Sequence, residues 1–415
     1  MFNFAADRLI VVNHPQLHLA CPGLSTARTF ITSPTFESLA TLMGFSIHHC
    51  SWVRYRVRRT FPCFHPRQRY IFPSLAVLCV MGFVAMSLLD MEGPIDLTSR
   101  SQIPEDNSVV TILLWSHPFG RYSKFGDCLE RYQIRGCRIT DDRRAYGEAD
   151  AVIIHHRDII TGTALPQELR PAAQKWIWMN YESPTHSPGL ELFEGIFNLT
   201  LTYRRGSDIF LPYGFLIPNT LRSIPYNSDQ YLRTPAPHEL IRPRLLAWVV
   251  SNWSESHARV VFYKQLQRFL RVDVYGRAGQ AFFGDVVDLV RDYQFYLALE
   301  NSQHTDYITE KLWSSIEAGA IPVVLGPSRE NYERLLPPEA FIHVDDFATV
   351  RELAQYLLRL WHRPDLLMSH LSWRGGYRTH RPTFWTEHYC KACEVVRRTR
   401  GRTNVVKDLA HWFKS

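Results

Sequence analysis

Residues Phe295–Phe347 read FYLALENSQHTDYITEKLWSSIEAGAIPVVLGPSRENYERLLPPEAFIHVDDF, and their pattern decides the fold. Phe295–Leu299 is a short apolar run suited to a buried strand. Asn301, Ser302 and Asp306 then supply turn and N-cap chemistry. From Tyr307 to Ala318 the spacing predicts a helix, with Ile308, Leu312, Ile316 and Gly319 on one face and Gly319 as its C′ residue. Ile321–Leu325 is a second buried-strand candidate, stopped by Gly326-Pro327. Strand, helix and strand in this order favour a parallel sheet. Asn301, Tyr307, Glu310 and Lys311 fall at the strand–helix junction, where open α/β domains bind nucleotides. A helix N-terminus offers unpaired N–H groups and partial positive charge, and Lys311 adds a full charge able to meet a diphosphate. Glu310 is placed to accept hydrogen bonds from ribose hydroxyls. On spacing alone the same pair also reads as a solvated helix start.

The pattern extends in both directions. Val109–Leu114, Ala151–Ile154 and Trp176–Met179 read as strands of a first α/β lobe. The proline-bearing stretch Asn219–Pro243 reads as a linker. Leu245–Val250, Val272–Tyr275, Phe295–Leu299, Ile321–Leu325 and Phe341–Val344 continue as short strands of a second lobe. At 415 residues, with 46% hydrophobic residues and 11 Trp, the chain has material for two such cores.

Charge and cysteine position narrow the setting. Residues 1–70 hold eight Arg and no Lys against Asp7 and Glu37, so they carry +6 of the net +7. The remainder has no basic stripe, which argues against a nucleic-acid partner. Residues 71–89 carry no charge, and as a helix they would span about 28 Å. Arg67 and Arg69 precede them, which predicts a type II signal anchor with the N-terminus cytosolic. Residues 1–70 then read as a cytosolic tail, with Met43 a second start nearer the anchor, and residues 90–108 as a stem. Cys128, Cys137, Cys390 and Cys393 would lie in the oxidising lumen. Their spacing favours two long-range bridges between the early and late pairs. A local Cys390–Cys393 bridge, a redox motif and half a zinc site are the alternatives.

The Phe295–Phe347 segment closely resembles the donor-binding segment of the vertebrate Golgi α1,3-fucosyltransferases, the Lewis-type enzymes, and the resemblance extends over residues 109–415. It implies a GT-B architecture, two Rossmann-like domains (109–235 on the acceptor side, 236–415 binding GDP-fucose) facing a cleft and preceded by a single transmembrane helix. The passage Asn180-Tyr-Glu-Ser-Pro-Thr-His-Ser-Pro188 matches the family's E-S-P motif, and the match implies Glu182 as general base. Tyr203-Arg204-Arg205, Ser207-Asp208 and Pro212-Tyr213-Gly214 also match, which implies an architectural role first; His186 and Tyr203 are in addition the acceptor-contact candidates. In the second lobe the resemblance implies donor contacts from Ser251, Asn252, Arg259, Tyr275, Asn301, Tyr307, Glu310 and Lys311, with Arg259 and Lys311 on the diphosphate and Tyr275 against guanine.

No Asp-x-Asp triplet is present; the expectation is therefore transfer with no required metal or cofactor, compatible with stimulation by Mn²⁺. Of the sequons Asn198-Leu-Thr200 and Asn252-Trp-Ser254, the first is the expected glycan site and the second, beside the donor pocket, is expected to stay bare. The implied activity is inverting transfer of L-fucose from GDP-fucose to the 3-hydroxyl of GlcNAc in N-acetyllactosamine glycans, at the Golgi membrane. A different acceptor, or an inactive GDP-sugar-binding relative, is the alternative. A homodimer is compatible with the reading.

Overall fold

The computed structural model describes residues 108–221 and 229–415, all within one compact unit of the chain. The expected tail (1–70) and anchor (71–89), and all but the last residue of the expected stem (90–108), lie outside the described residues. Among the described residues no helix is long and apolar enough to cross a membrane.

The first lobe is a parallel sheet of β1 (Val110–Leu114), β2 (Cys137–Thr140), β3 (Ala151–His155), β4 (Lys175–Asn180), β5 (Leu199–Thr202) and β6 (Ile209–Phe210), in the order β2-β1-β3-β4-β5-β6. β7 (Phe215–Pro218) and β8 (Asp229–Tyr231) follow and lead to the second lobe. There β9 (Arg244–Val250), β10 (Asp273–Gly276), β11 (Tyr293–Leu299), β12 (Ile321–Leu325) and β13 (Ile342–His343) form another parallel sheet, ordered β10-β9-β11-β12-β13.

Both faces of this second sheet are covered, which is why its strands read as continuous apolar runs. On β11, Tyr296 and Ala298 face one cluster while Phe295, Leu297 and Leu299 face another, the period-2 alternation of a strand. Helix α1 (Ala258–Leu266) follows β9, and α2 (Glu310–Ala318) crosses from β11 to β12, whose strands pair in parallel from Phe295↔Ile321 to Leu299↔Leu325. Gly319 closes α2 in the left-handed conformation (φ 75°), as the sequence predicts. The helix begins at Glu310, three residues later than its apolar spacing indicates. Tyr307 and Ile308 precede it, and Tyr307 belongs to the core of the first lobe.

The chain passes twice between the lobes. β14 (Tyr377–His380) lies antiparallel between β7 and β8, and the chain then returns to the first lobe as α3 (Thr386–Arg398) and α4 (Leu409–Lys414). Tyr389 and Val396 of α3 and Phe413 of α4 are buried in the first-lobe core. Two disulfides fasten this return, Cys128–Cys390 and Cys137–Cys393, with Cα separations of 5.4 and 5.7 Å. These are the long-range bridges expected from the spacing; Cys390 and Cys393, a turn apart on α3, each reach a different first-lobe cysteine. At the crossing, a Cβ on Gly214 would fall 2.5 Å from the Trp313 ring of α2, so only glycine lets the chain pass so close to that helix.

Each bridge closes a loop of more than 250 residues. Replacing Cys137 and Cys393 together with serine is expected to lower unfolding stability by about 2–5 kcal/mol, read as a lower urea midpoint for the unfolding transition.

Candidate active site

The strand order β10-β9-β11-β12-β13 reverses direction between β9 and β11. The crevice beyond the carboxyl ends of those strands is the topological switch point. Two loops border it: Ser251–His257 leading into α1, and Glu300–Thr309 leading into α2.

The second loop is built around Glu300, a residue the sequence reading passed over. Its side chain is 1% exposed. Its carboxylate accepts from the Thr309 backbone N–H (2.8 Å), from the Thr309 hydroxyl (3.0 and 2.9 Å) and from Lys311 Nζ (3.0 Å). It thus serves the start of α2, where backbone donors have no intrahelical partner. Lys311 Nζ also donates to Thr309 Oγ1 (2.6 Å) and Glu310 Oε1 (3.2 Å), which engages all three ammonium protons. Burial opposes the charge on Lys311, but the Glu300 and Glu310 carboxylates outweigh it and raise its pKa. For Glu310, desolvation pushes the carboxyl up, and Lys311 pulls it below its ordinary value.

Arg259 of α1 approaches the same charges. The residue is 4% exposed; its Nη2 donates to the Asn252 carbonyl, and its Nε has no hydrogen-bond partner. Burial lowers its pKa, opposed by the Glu300 carboxylate. A buried guanidinium with a donor unspent fits an anion, since an unmet buried donor carries a desolvation cost. Ser251 and Asn252 stand exposed at the end of β9, and Asn301 is half-buried beside Ser302.

Three contacts register this loop against the first lobe. Ser302 Oγ donates to Ser183 Oγ (2.7 Å), Thr185 Oγ1 meets His304 Nε2 (2.6 Å), and the Arg205 N–H donates to Asp306 Oδ2 (3.0 Å). Asp306 itself takes a left-handed conformation (φ 62°), and Asn331 Oδ1 accepts from its N–H. Ser183 belongs to the E-S-P passage after β4, so these bonds set Glu182 against the Glu300–Thr309 loop. Glu182 and Glu310 line one cavity of about 400 Å³, within the range of small-molecule sites. The Glu182 backbone N–H donates to Asn180 Oδ1 (3.1 Å), while its carboxylate makes no hydrogen bond or ion pair among the described residues. His186 Nδ1 bonds Ser183 Oγ (3.0 Å) and so braces the loop.

Other expected contacts lie elsewhere. Tyr307 is 3% exposed and inserts between Tyr203 and Tyr213 of the first lobe, at ring centroid distances of 5.2 and 6.5 Å. Tyr203 is 1% exposed, and its hydroxyl reaches the Glu182 carbonyl (3.4 Å), supporting the loop from behind. Tyr275 turns its hydroxyl to Tyr293 (2.7 Å) and Arg244 (3.0 Å), away from the crevice. All three tyrosines are buried in this structure. The sequons also differ: Asn198 has its amide in use, accepting from the Trp176 N–H and donating to the Asn404 carbonyl, while Asn252 is exposed. Among the described residues no group of three or more His, Cys, Asp or Glu is arranged to hold a metal ion.

Comparison with known proteins bears on the whole described region. Residues 107–214 match the model for "Fucosyltransferase, N-terminal", and residues 241–412 match "Glycosyltransferase family 10 (fucosyltransferase) C-term". A rat relative, "4-galactosyl-N-acetylglucosaminide 3-alpha-L-fucosyltransferase 9", is 45% identical over 306 residues, 73% of this chain and 82% of its own length. The chimpanzee "Alpha-(1,3)-fucosyltransferase 4" is 44% identical over 353 residues, 75% of this chain; the chain spans 66% of that relative's length. A crystal structure described as alpha1,3-fucosyltransferase with GDP-fucose superposes with a TM-score of 0.48 at 16% identity, covering 74% of this chain and 94% of that one. From the identity and coverage of the rat relative, with both family models matched in order, the chain belongs to the fucosyltransferases of glycosyltransferase family 10.

Proposed function

We propose that the chain transfers L-fucose from GDP-β-L-fucose, with inversion at C1, to the 3-hydroxyl of GlcNAc in N-acetyllactosamine-type glycans. The observation that carries the reading is the buried Arg259 with its unspent Nε, close to the Glu300–Glu310–Lys311 charges at the start of α2. That crevice offers two cations and a helix N-terminus to a diphosphate. Across it, Glu182 presents a free carboxylate.

The roles follow from the chemistry. The acceptor oxygen attacks C1 of fucose while Glu182 takes its proton, and the bond from C1 to the β-phosphate oxygen breaks. GDP leaves with added negative charge, which Arg259 and Lys311 neutralise. Lys311 keeps its buried partner Glu300 throughout; Glu310, the exposed partner, is the one that yields to the incoming nucleotide. Serine 302 and serine 183 hold base and donor loop in register, which is a positioning role. The two cations fill the place that a divalent ion takes in other sugar-nucleotide transferases, and we infer that no metal is required. The Golgi membrane setting and type II topology are part of the same proposal. They rest on the uncharged run at 71–89 and on the two long-range disulfides, which need an oxidising compartment.

Glu182→Gln is expected to abolish transfer, at least a hundredfold in kcat, and to leave GDP affinity within about twofold. Full activity in that variant would remove Glu182 as the base. Glu300→Ala should cost about 3 kcal/mol of stability, because it strands Lys311 and the first N–H of the α2 entry, and should raise the KM for GDP-fucose. Calorimetry and initial-rate kinetics read the two effects; a variant as stable as wild type with an unchanged donor KM contradicts the positioning role.

A further inference from the structure

The far end of α2 carries a second concentration of charge. The helix starts at the crevice with Glu310 and ends at Ala318, about 12 Å away at the ordinary rise per residue. Gly319 follows there, just before β12, at the amino edge of the second-lobe sheet. A cavity of about 620 Å³ opens at that edge, and Arg233, Arg242, Arg291 and Arg374 all line it. It shares no lining residue with the cavity of Glu182 and Glu310.

Two of these arginines converge. A Cβ on Gly319 would fall 2.6 Å from Arg242 Nη2 and 3.6 Å from Arg374 Nη2, so both guanidinium groups lie over one residue. Arg374 is 6% exposed and Arg242 half-buried. Their hydrogen-bond partners are backbone carbonyls. Arg242 donates to Val290 (3.4 Å) and Tyr293 (3.1 Å) through Nη1 and to Ala318 (2.9 Å) through Nη2. Arg374 donates to Ile316 (2.7 Å) through Nη1 and to Arg233 (3.3 Å) through Nε, and its Nη2 makes no hydrogen bond among the described residues. The two carboxylates in the lining are spent elsewhere: Glu239 on Arg233 (2.5 and 2.7 Å), and Glu317 on Arg381 (2.8 Å).

Helix capping accounts for only part of this arrangement. The carbonyls at a helix end amount to about half a negative charge, which two full positive charges exceed. Burial pushes both guanidinium groups down to about 10, so each stays charged at neutral pH. Arg242 and Arg233 push Arg374 in the same direction; at Arg242 the Asp292 and Glu239 carboxylates oppose the shift and Arg291 adds to it. Arg291 stands exposed at the rim, 3.3 Å from an equally exposed Asp288. Like charges gathered in a partly desolvated hollow repel each other, and an anion between them turns the repulsion into attraction.

The donors describe that anion. Guanidinium forks match the paired oxygens of a tetrahedral oxyanion. The oxyanion alone fills a small part of the cavity, and Tyr231 and Ile241, 64% and 52% exposed, offer apolar surface in the rest of the lining. We propose that Arg242 and Arg374, with Arg291 at the rim, form a binding site for a phosphate or sulfate ester, its oxyanion over Gly319 and its organic group against Tyr231 and Ile241. The site lies at the other end of α2 from the crevice and does not depend on the transferase reading.

The test is titration calorimetry on the full chain with phenyl phosphate, phenyl sulfate and inorganic phosphate. The wild type is expected to bind at least one ester about tenfold tighter than inorganic phosphate, and the tighter of the two names the ester class. Arg291→Glu reverses a rim charge and leaves the buried carbonyl bonds intact, so the fold is kept; it should weaken ester binding about tenfold. Tyr231→Ala, at an exposed position, should weaken the esters about threefold and leave inorganic phosphate within twofold. No ester binding by the wild type overturns the site. So does ester binding that Arg291→Glu leaves within twofold, because the ester then lies elsewhere. Equal affinity for inorganic phosphate and both esters overturns the assignment of an ester.

Discussion

One carboxylate organises the cleft. Glu300 directly follows β11, is removed from solvent, and gathers the backbone N–H and hydroxyl of Thr309 and the ammonium of Lys311. An unpaired charge at that depth would be costly, so the loop from Glu300 to Thr309 must fold back far enough to bring its partners in. The fold-back delays α2 to Glu310, places Lys311 in the first turn, and turns Ser302, His304 and Asp306 toward the first lobe. Each of those three then finds a partner there: Ser183, Thr185 and the Arg205 backbone. The two sides of the cleft are therefore set by one loop.

Topology makes that registration rigid. The chain leaves the first lobe through β7 and returns to it through β14, and the antiparallel pairing of these strands brings both crossings together. The disulfides pin α3 under β1 and β2, and Gly214 admits Trp313 at the crossing. Tyr307 completes the arrangement as a second-lobe residue buried among first-lobe tyrosines. A cleft supported in this way can hold Glu182, Arg259 and Lys311 at fixed separations, as differential stabilisation of a transition state requires.

The sequence showed much of this and concealed particular parts for physical reasons. Buried parallel strands such as Ala151–His155, Tyr293–Leu299 and Ile321–Leu325 are apolar on both faces and stood out at once. Cys137–Thr140, Leu199–Thr202 and Tyr377–His380 did not, because short strands with Arg, Thr and His carry no such run. Tyr307 and Ile308 extended the apolar spacing of α2 backward, although their burial serves a different lobe. Glu300 has no period and no partner visible in sequence; its importance comes from a burial that only the fold creates. Tyr275 and Tyr203 are both buried, and no spacing in the sequence marks that burial.

The proposed chemistry is transfer of fucose from a nucleotide to a glycan without a metal ion. Its most direct test is incubation of the purified full chain with GDP-fucose and a panel of N-acetyllactosamine, its α2,3-sialylated form and type 1 chains, in EDTA, with product linkage read by NMR. The expected product carries fucose on the 3-hydroxyl of GlcNAc, α-linked, formed at a rate unaffected by the chelator. Transfer that requires a divalent cation, or no transfer to any member of the panel from a chain that binds GDP, would contradict it.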